Sequence, residues 1–317
     1  MVARIEANSG AHVRLIFAGT PEAAVPTLRA LAAAGHDIPM VVTRPDAPLG
    51  RKRVLTPSPV ARAAEELGLP TLKTARLDDD ATAELSSLGA QLAVVVAYGG
   101  LVREPLLSAP DHGWINLHFS LLPRWRGAAP VQRALIAGDA ETGAAVFRLV
   151  PELDAGDVYG ELRHEIAPHE TAADLLATLA DSGAGLVVDT VASIADGSAV
   201  AAPQEGEPTH AAKLTLDDGR VRWEESAERV LDRHRGVTPE PGSHTTIDGE
   251  RFKIHEAQAA GDAPALEPGR LAAAPAGVHA GTGDGAVLLT RVQPAGKAAM
   301  SAADWFRGLR GDVRLGS

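Results

Sequence analysis

The sequence predicts an α/β protein in two parts, a Rossmann-like parallel-sheet domain followed by a small OB-like β-barrel. Short runs rich in Val, Ile and Leu alternate with helix-like segments over the first 197 residues, the pattern of βαβ units wound around a parallel sheet. From about residue 213 the pattern changes to short alternating segments punctuated by Asp-Gly pairs, a hairpin signal. Finally, 317 residues exceed what a single core usually holds.

The run VRLIFAG, from Val13 to Gly19, is β-branched and nearly continuous in apolar residues, as suits a buried parallel strand. Thr20, Pro21 and Glu22 then read as a helix start with Thr20 as N-cap. IPMVVTR at 38–44 is the next strand, followed by a Pro- and Gly-rich loop to Pro59. PVARAAEELG at 59–68 reads as a helix closed by Gly68, and QLAVVVAYGG at 91–100 as a third buried strand. GWINLHFS (113–120) and GAAVFRLVP (143–151) are further strands. Thr171 with Asp174 forms a capping box that opens a long helix ending near residue 196. AVAAPQEGEPTHA, from 199, has the Pro, Gly and Glu content of a linker. Beyond it, a helix at 225–236 and turns at Asp248-Gly249 and Asp284-Gly285 suggest the barrel. The expected organisation is a disordered extension (1–12), a first domain (13–197), a linker (198–212) and a second domain (213–317).

Composition narrows the function. The chain has no cysteine, which removes disulfides, thiolate metal sites and thiol nucleophiles. Its 11 histidines show no H-E-x-x-H or comparable spacing, so no metal is expected. No apolar run follows Arg4 near the start, so no secretory signal or membrane span is expected and the chain reads as cytoplasmic. A net charge of −11 argues against nucleic-acid binding over the whole surface. Before Gly206 there are 16 basic and 25 acidic residues, and from there on 14 and 16, so the second part repels a polyanion less.

Asn116 and His118 lie two apart on a predicted strand, so their side chains leave the same face and can converge on one atom. Both sit where that strand runs into the loop SLLPRWRGAAP, and open α/β sheets place sites beyond the carboxyl ends of their strands. Alone, Asn-x-His at a strand end is more often two satisfied polar groups. PELDAGD follows the next strand and offers two aspartates, Asp154 and Asp157. Either would reach the same sheet edge if the neighbouring strands are parallel, and either could hold an imidazole in one tautomer. FAGTPEAAV is not G-x-G-x-x-G and does not support a dinucleotide site.

The run INLHFSLLPRWRGAAPVQRALIAGDAETGAAV, with LDAGD after it, resembles the folate-dependent formyltransferase family. The resemblance extends through FAGTPEAAVPTL, RPDAPLGRKRVLTPSPV, VVVAYGGL, KLTLDDGRVRW and QPAGKAAMSAADW, most of the chain from Val13 to about Arg310. It implies that Asn116, His118 and Asp154 are catalytic, and that Ser120, Leu121, Leu122 and Pro123 line the folate site. It further implies 10-formyltetrahydrofolate as formyl donor and, from its full-length reach, initiator methionyl-tRNA as acceptor, with the enzyme a monomer. Arg51, Lys52 and Arg53, a basic triplet in a Pro- and Gly-rich loop, would then contact the RNA. Arg220, Arg222, Arg233, Arg235, Arg251, Lys253 and Lys297 would add a second surface. Trp125 and Trp223 read as packing residues, with base stacking as the alternative. Three rivals share features: a formyltransferase for a nucleotide-linked amino sugar, a glycinamide ribonucleotide transformylase, which normally lacks a second domain, and a non-catalytic folate- or RNA-binding module.

Overall fold

A computed structural model describes residues 12–50 and 52–317. Residues 1–11, most of the expected extension, and Arg51 lie outside the described residues. In chain order the main strands are β1 (Arg14–Gly19), β2 (Asp37–Thr43), β3 (Thr71–Lys73), β4 (Leu92–Val96), β5 (Trp114–His118), β6 (Glu141–Arg148) and β7 (Val158–Glu165). They are followed by β8 (Ser243–Ile247), β9 (Glu250–Ala259), β10 (Leu271–Ala274), β11 (Gly277–Gly281) and β12 (Ala286–Gln293). The helices are α1 (Val25–Ala33), α2 (Pro59–Glu66), α3 (Asp79–Ser87), α4 (Pro130–Ala137), α5 (Ala172–Asp196), α6 (Ala227–Gly236) and α7 (Ala302–Arg307).

The chain forms two compact units. One contains the described residues up to Ala128 with Gly143–His164 and Ala177–His210, the other Ala129–Thr142, Glu165–Leu176 and Ala211–Ser317.

The first unit is built on a seven-stranded sheet in the order β7-β6-β5-β4-β1-β2-β3. Strands β1 to β5 are mutually parallel, and the order reverses between β1 and β4. Leu15, Ile16, Phe17 and Ala18 of β1 and all of β4 are buried, which explains why their sequences do not alternate. Full burial of each larger aliphatic side chain contributes roughly 1.5–3 kcal/mol. Ser58 caps α2 by accepting from the Ala61 N–H at 3.0 Å, with Pro59 next in line. Helix α5 is long and apolar, and Leu179, Ala180, Val187 and Val191 are buried along it, as in a core helix. It approaches β5 through Gly183, where a Cβ would meet Leu117 at 2.9 Å.

Two expectations are corrected here, and three elements are added. Thr20 caps no helix: its hydroxyl donates to the Tyr98 carbonyl at 2.8 Å, and the chain enters α1 through a 3-10 turn at Glu22–Ala24. The sheet is mixed rather than all-parallel, because β6 runs antiparallel to β5, pairing His118 with Ala145 and Ile115 with Arg148. The short elements β3, α3 and the edge strand β7 also add to the unit; β3 and β7 are too brief or too exposed to carry a clear pattern.

The second unit holds a six-stranded antiparallel sheet in the order β8-β9-β12-β11-β10, with Met300–Ser301 added to β12. Asp248 and Gly249 both take positive φ, 51° and 77°, the geometry of a tight two-residue hairpin. Its core gathers Trp223, Phe252, Val278, Leu289 and Trp305, with the Phe252 and Trp305 rings 4.5 Å apart. Helices α4 and α6 pack closely in this unit, since a Cβ on Gly236 would lie 2.6 Å from Ile136. The Thr171–Asp174 capping box is formed, the threonine hydroxyl donating to the carboxylate at 2.7 Å.

Candidate active site

Strand β5 ends beside the carboxyl ends of β4 and β1, because all three are parallel and Asn116 is in register with Val95. Asn116 and His118 share one face, and Leu117 between them turns to α5. The Asn116 Oδ1 is buried and has no hydrogen-bond partner among the described residues, a state that costs about 1–3 kcal/mol unless a ligand relieves it. His118 is buried, with its ring edge-on to Phe147 at 6.2 Å.

The His118 Nε2 lies 2.9 Å from the Trp125 carbonyl oxygen. A carbonyl only accepts, so Nε2 carries the proton and, in the neutral ring, Nδ1 is bare. Nδ1 faces the Asp154 Oδ2 at 3.8 Å, beyond a direct hydrogen bond. Burial lowers the imidazole pKa below its usual value, against the opposing pulls of the Asp154 charge and the Trp125 carbonyl. The ring is therefore neutral near pH 7, with its basic nitrogen toward a carboxylate.

Asp154 does not arrive by the route the sequence suggests. Because β6 is antiparallel to β5, the chain leaves β6 at Arg148, opposite Ile115 and away from His118. The loop from 149 to 157 must then fold back. Asp154 takes φ 49°, and Gly156 lies so close to Arg148 that a Cβ would sit 1.8 Å from its carbonyl oxygen. The Gly127 N–H donates to the Asp154 Oδ2 at 2.7 Å. The Gln204 Nε2 donates to the carbonyls of both Asp154 and Gly156 at 2.8 Å. Asp157, the loop's other aspartate, is exposed, and Asp154 is the one brought to His118.

Of the four residues expected to line the folate site, Ser120, Leu122 and Pro123 are buried and only Leu121 is partly exposed. The Ser120 hydroxyl donates to the Arg124 carbonyl at 2.6 Å, and Leu122 packs with Ala145 and Phe147. This stretch shapes the wall behind His118 and carries the chain to Trp125, whose φ is 61°. Trp125 is itself held by its N–H donating to the Thr209 Oγ1 at 2.8 Å.

Three contributors escaped the sequence reading: the Trp125 carbonyl, the Gly127 N–H and Gln204. Main-chain groups leave no mark in a sequence. Gln204 sits in the Pro- and Gly-rich stretch read as a linker, where Ala202 also exchanges two backbone hydrogen bonds with Val158.

Lys52 and Arg53 are exposed at the tip of a short hairpin, Ala47–Leu49 paired with Val54–Thr56; the triplet's first member, Arg51, lies outside the described residues. The second basic set is less open than its composition suggests. Arg233 and Arg235 are paired with Glu225 and Asp232 at 3.3 and 2.7 Å, with little side-chain exposure. Trp223 is buried and its Nε1 donates to the Thr245 Oγ1 at 3.0 Å, so it packs rather than stacks on a base. Among the described residues no group of three or more His, Cys, Asp or Glu is placed to hold a metal ion.

Comparison with known proteins places this geometry in context. Residues 12–191 match the formyl transferase family, and residues 213–310 match the formyl transferase C-terminal domain. The chain is 62% identical over 297 residues to a methionyl-tRNA formyltransferase of Clavibacter sepedonicus, covering 94% of this chain and 97% of that protein. It is 60% identical over 303 residues to one of Leifsonia xyli subsp. xyli, covering 96% and 100%. Among solved structures, HypX from Aquifex aeolicus in complex with tetrahydrofolic acid superposes with a TM-score of 0.65 at 17% identity, covering 95% of this chain and 49% of that one. At that identity the likeness is one of fold.

Proposed function

The chain belongs to the formyl transferase family, and from that premise we propose that it moves a formyl group from 10-formyltetrahydrofolate to the free amino group of methionyl-tRNA. The product is formylmethionyl-tRNA for translation initiation. The observation that carries the acceptor is the identity of 50–62% with methionyl-tRNA formyltransferases over nearly the whole chain, second domain included.

In this reading Asn116, His118 and Asp154 carry the chemistry. The acceptor amine has a pKa no higher than the α-amino range of about 7.7–8.0, so at least roughly a tenth is neutral at pH 7. Activation is thus a small problem, and positioning, charge stabilisation and proton removal are the larger ones. As the amine attacks the formyl carbon, the C–N bond forms and the carbonyl electrons move onto oxygen. The Asn116 amide donates a hydrogen bond to that oxygen. The proton lost from the amine goes to the bare Nδ1 of His118, and the imidazolium so formed faces the Asp154 carboxylate. When the oxygen electrons return, the bond to the folate nitrogen breaks and that nitrogen takes up the proton.

Ser120, Leu121, Leu122 and Pro123 form the folate-side wall, and the basic run Arg51, Lys52 and Arg53 meets the RNA backbone. The enzyme works in the cytoplasm as a monomer. The deciding experiment is formyl transfer from 10-formyltetrahydrofolate to charged initiator tRNA, beside a nucleotide-linked amino sugar. Transfer to the tRNA alone is expected, and transfer to the sugar alone would overturn the acceptor while leaving the chemistry.

A further inference from the structure

The geometry points to Gln204 as a positioning residue for formyl transfer, one that holds Asp154 at His118 without touching either substrate. The inference rests on the catalytic reading of Asp154 given above. All the polar capacity of the Gln204 amide visible in the structure is directed at the site's framework. Its Nε2 donates to the carbonyl oxygens of Asp154 and Gly156, both at 2.8 Å. Its Oε1 accepts from the Arg126 guanidinium at 2.6 and 3.1 Å. The reversed amide would set oxygen against two carbonyls and an NH2 against a cation, so only one orientation is possible.

The loop it grips needs such a clamp. Chain direction carries residues 149–157 away from His118, and Asp154 returns only by taking a left-handed backbone conformation, φ 49°, which a non-glycine residue adopts at a cost. The Gly127 N–H fixes the carboxylate itself, whereas Gln204 fixes the main chain that presents it. Arg126 and Gly127 are consecutive, so one glutamine ties both the loop bearing Asp154 and the segment that hydrogen-bonds its side chain. Five residues on, Thr209 accepts from the Trp125 N–H and so steadies the carbonyl that orients His118. The segment 204–209 thus braces both partners of the His118–Asp154 pair.

The test is a double-mutant cycle with Gln204→Met and Asp154→Asn, read as single-turnover formyl transfer by enzyme whose folate binding is first verified. Gln204→Glu is included as a second variant: it keeps the acceptor for Arg126 and loses the amide donors. We expect Gln204→Met and Gln204→Glu each to lower kcat by about tenfold or more, the scale of a displaced catalytic group, with KM for both substrates within about threefold of the parent. Added to Asp154→Asn, Gln204→Met should cost nothing further, because a residue acting only through Asp154 has nothing left to position. The acid limb of the kcat profile should also move to lower pH in Gln204→Met, since the Asp154 charge raises the His118 pKa. Effects that multiply in the double variant, or a Gln204→Glu variant as fast as the parent, would overturn the inference alone. An unimpaired Asp154→Asn would instead overturn the reading of Asp154, and this inference with it.

Discussion

The imidazole of His118 donates through Nε2 to the carbonyl oxygen of Trp125, 2.9 Å away, at a residue whose φ is 61°. A main-chain oxygen therefore sets the tautomer, and Asp154, at 3.8 Å from Nδ1, acts on the ring through its charge. The two roles that one carboxylate could have filled are divided between a backbone group and a side chain.

His118 should act as a neutral base whose pKa lies below the usual imidazole value, because burial outweighs the Asp154 charge. The acid limb of kcat is expected at lower pH in Asp154→Asn than in the parent, with a reduced plateau, since removing the charge removes what raises the pKa. His118→Ala should lose on the order of 10²–10⁴ in rate, as for removal of a general base. A pH–rate series on the three proteins checks both statements; an acid limb that moves upward in Asp154→Asn contradicts the arrangement.

Asn116→Ala should lower kcat by about 10²–10³ with substrate affinity nearly kept, as removal of one oxyanion donor does. The loss should appear in single-turnover formyl transfer. A loss smaller than about tenfold would mean that another group meets the oxygen.

Replacing Arg51, Lys52 and Arg53 together with Ala should weaken tRNA binding and lower the magnitude of its salt slope by about two to three, close to 0.9 for each lost phosphate contact. Formyl-donor binding should be unaffected. Binding isotherms at several salt concentrations measure this, and an unchanged slope removes the hairpin from the RNA interface.

Stability of the second unit should fall as the solution is acidified from pH 6.5 toward 4. Burial depresses the His234 pKa to about 4, while its ring is held by Ser243 at 2.9 Å. The folded pKa is below the unfolded one, so this contribution is fully present above pH 6.5 and is lost as pH drops toward the folded value. The amount is about 3 kcal/mol. His234→Asn, which cannot titrate, should show a correspondingly smaller loss between those pH values in denaturant melts. An equal loss in both proteins would assign the acid sensitivity elsewhere.

Much of the local structure could be read from short stretches of sequence. The common face of Asn116 and His118 follows from the two-residue period of a strand, the start of α2 from Pro59, and the tight hairpin from Asp248 and Gly249. Each of these depends on groups a few residues apart, so the covalent chain alone places them together. Thr20 is the instructive exception, since a hydroxyl suited to capping was drawn instead to the Tyr98 carbonyl, 78 residues away.

What decided the candidate site is non-local. Strand direction turned the residues after β6 away from His118, and the return of Asp154 depends on a positive φ, on Gly156 against Arg148, and on the Gln204 amide. The tautomer of His118 depends on a carbonyl that any residue at 125 would possess. The sequence by itself determined which side chains could do the chemistry and which two share a face. The tertiary structure decided which carboxylate meets them and which ring nitrogen is basic, because those depend on main-chain hydrogen bonds closed between distant segments.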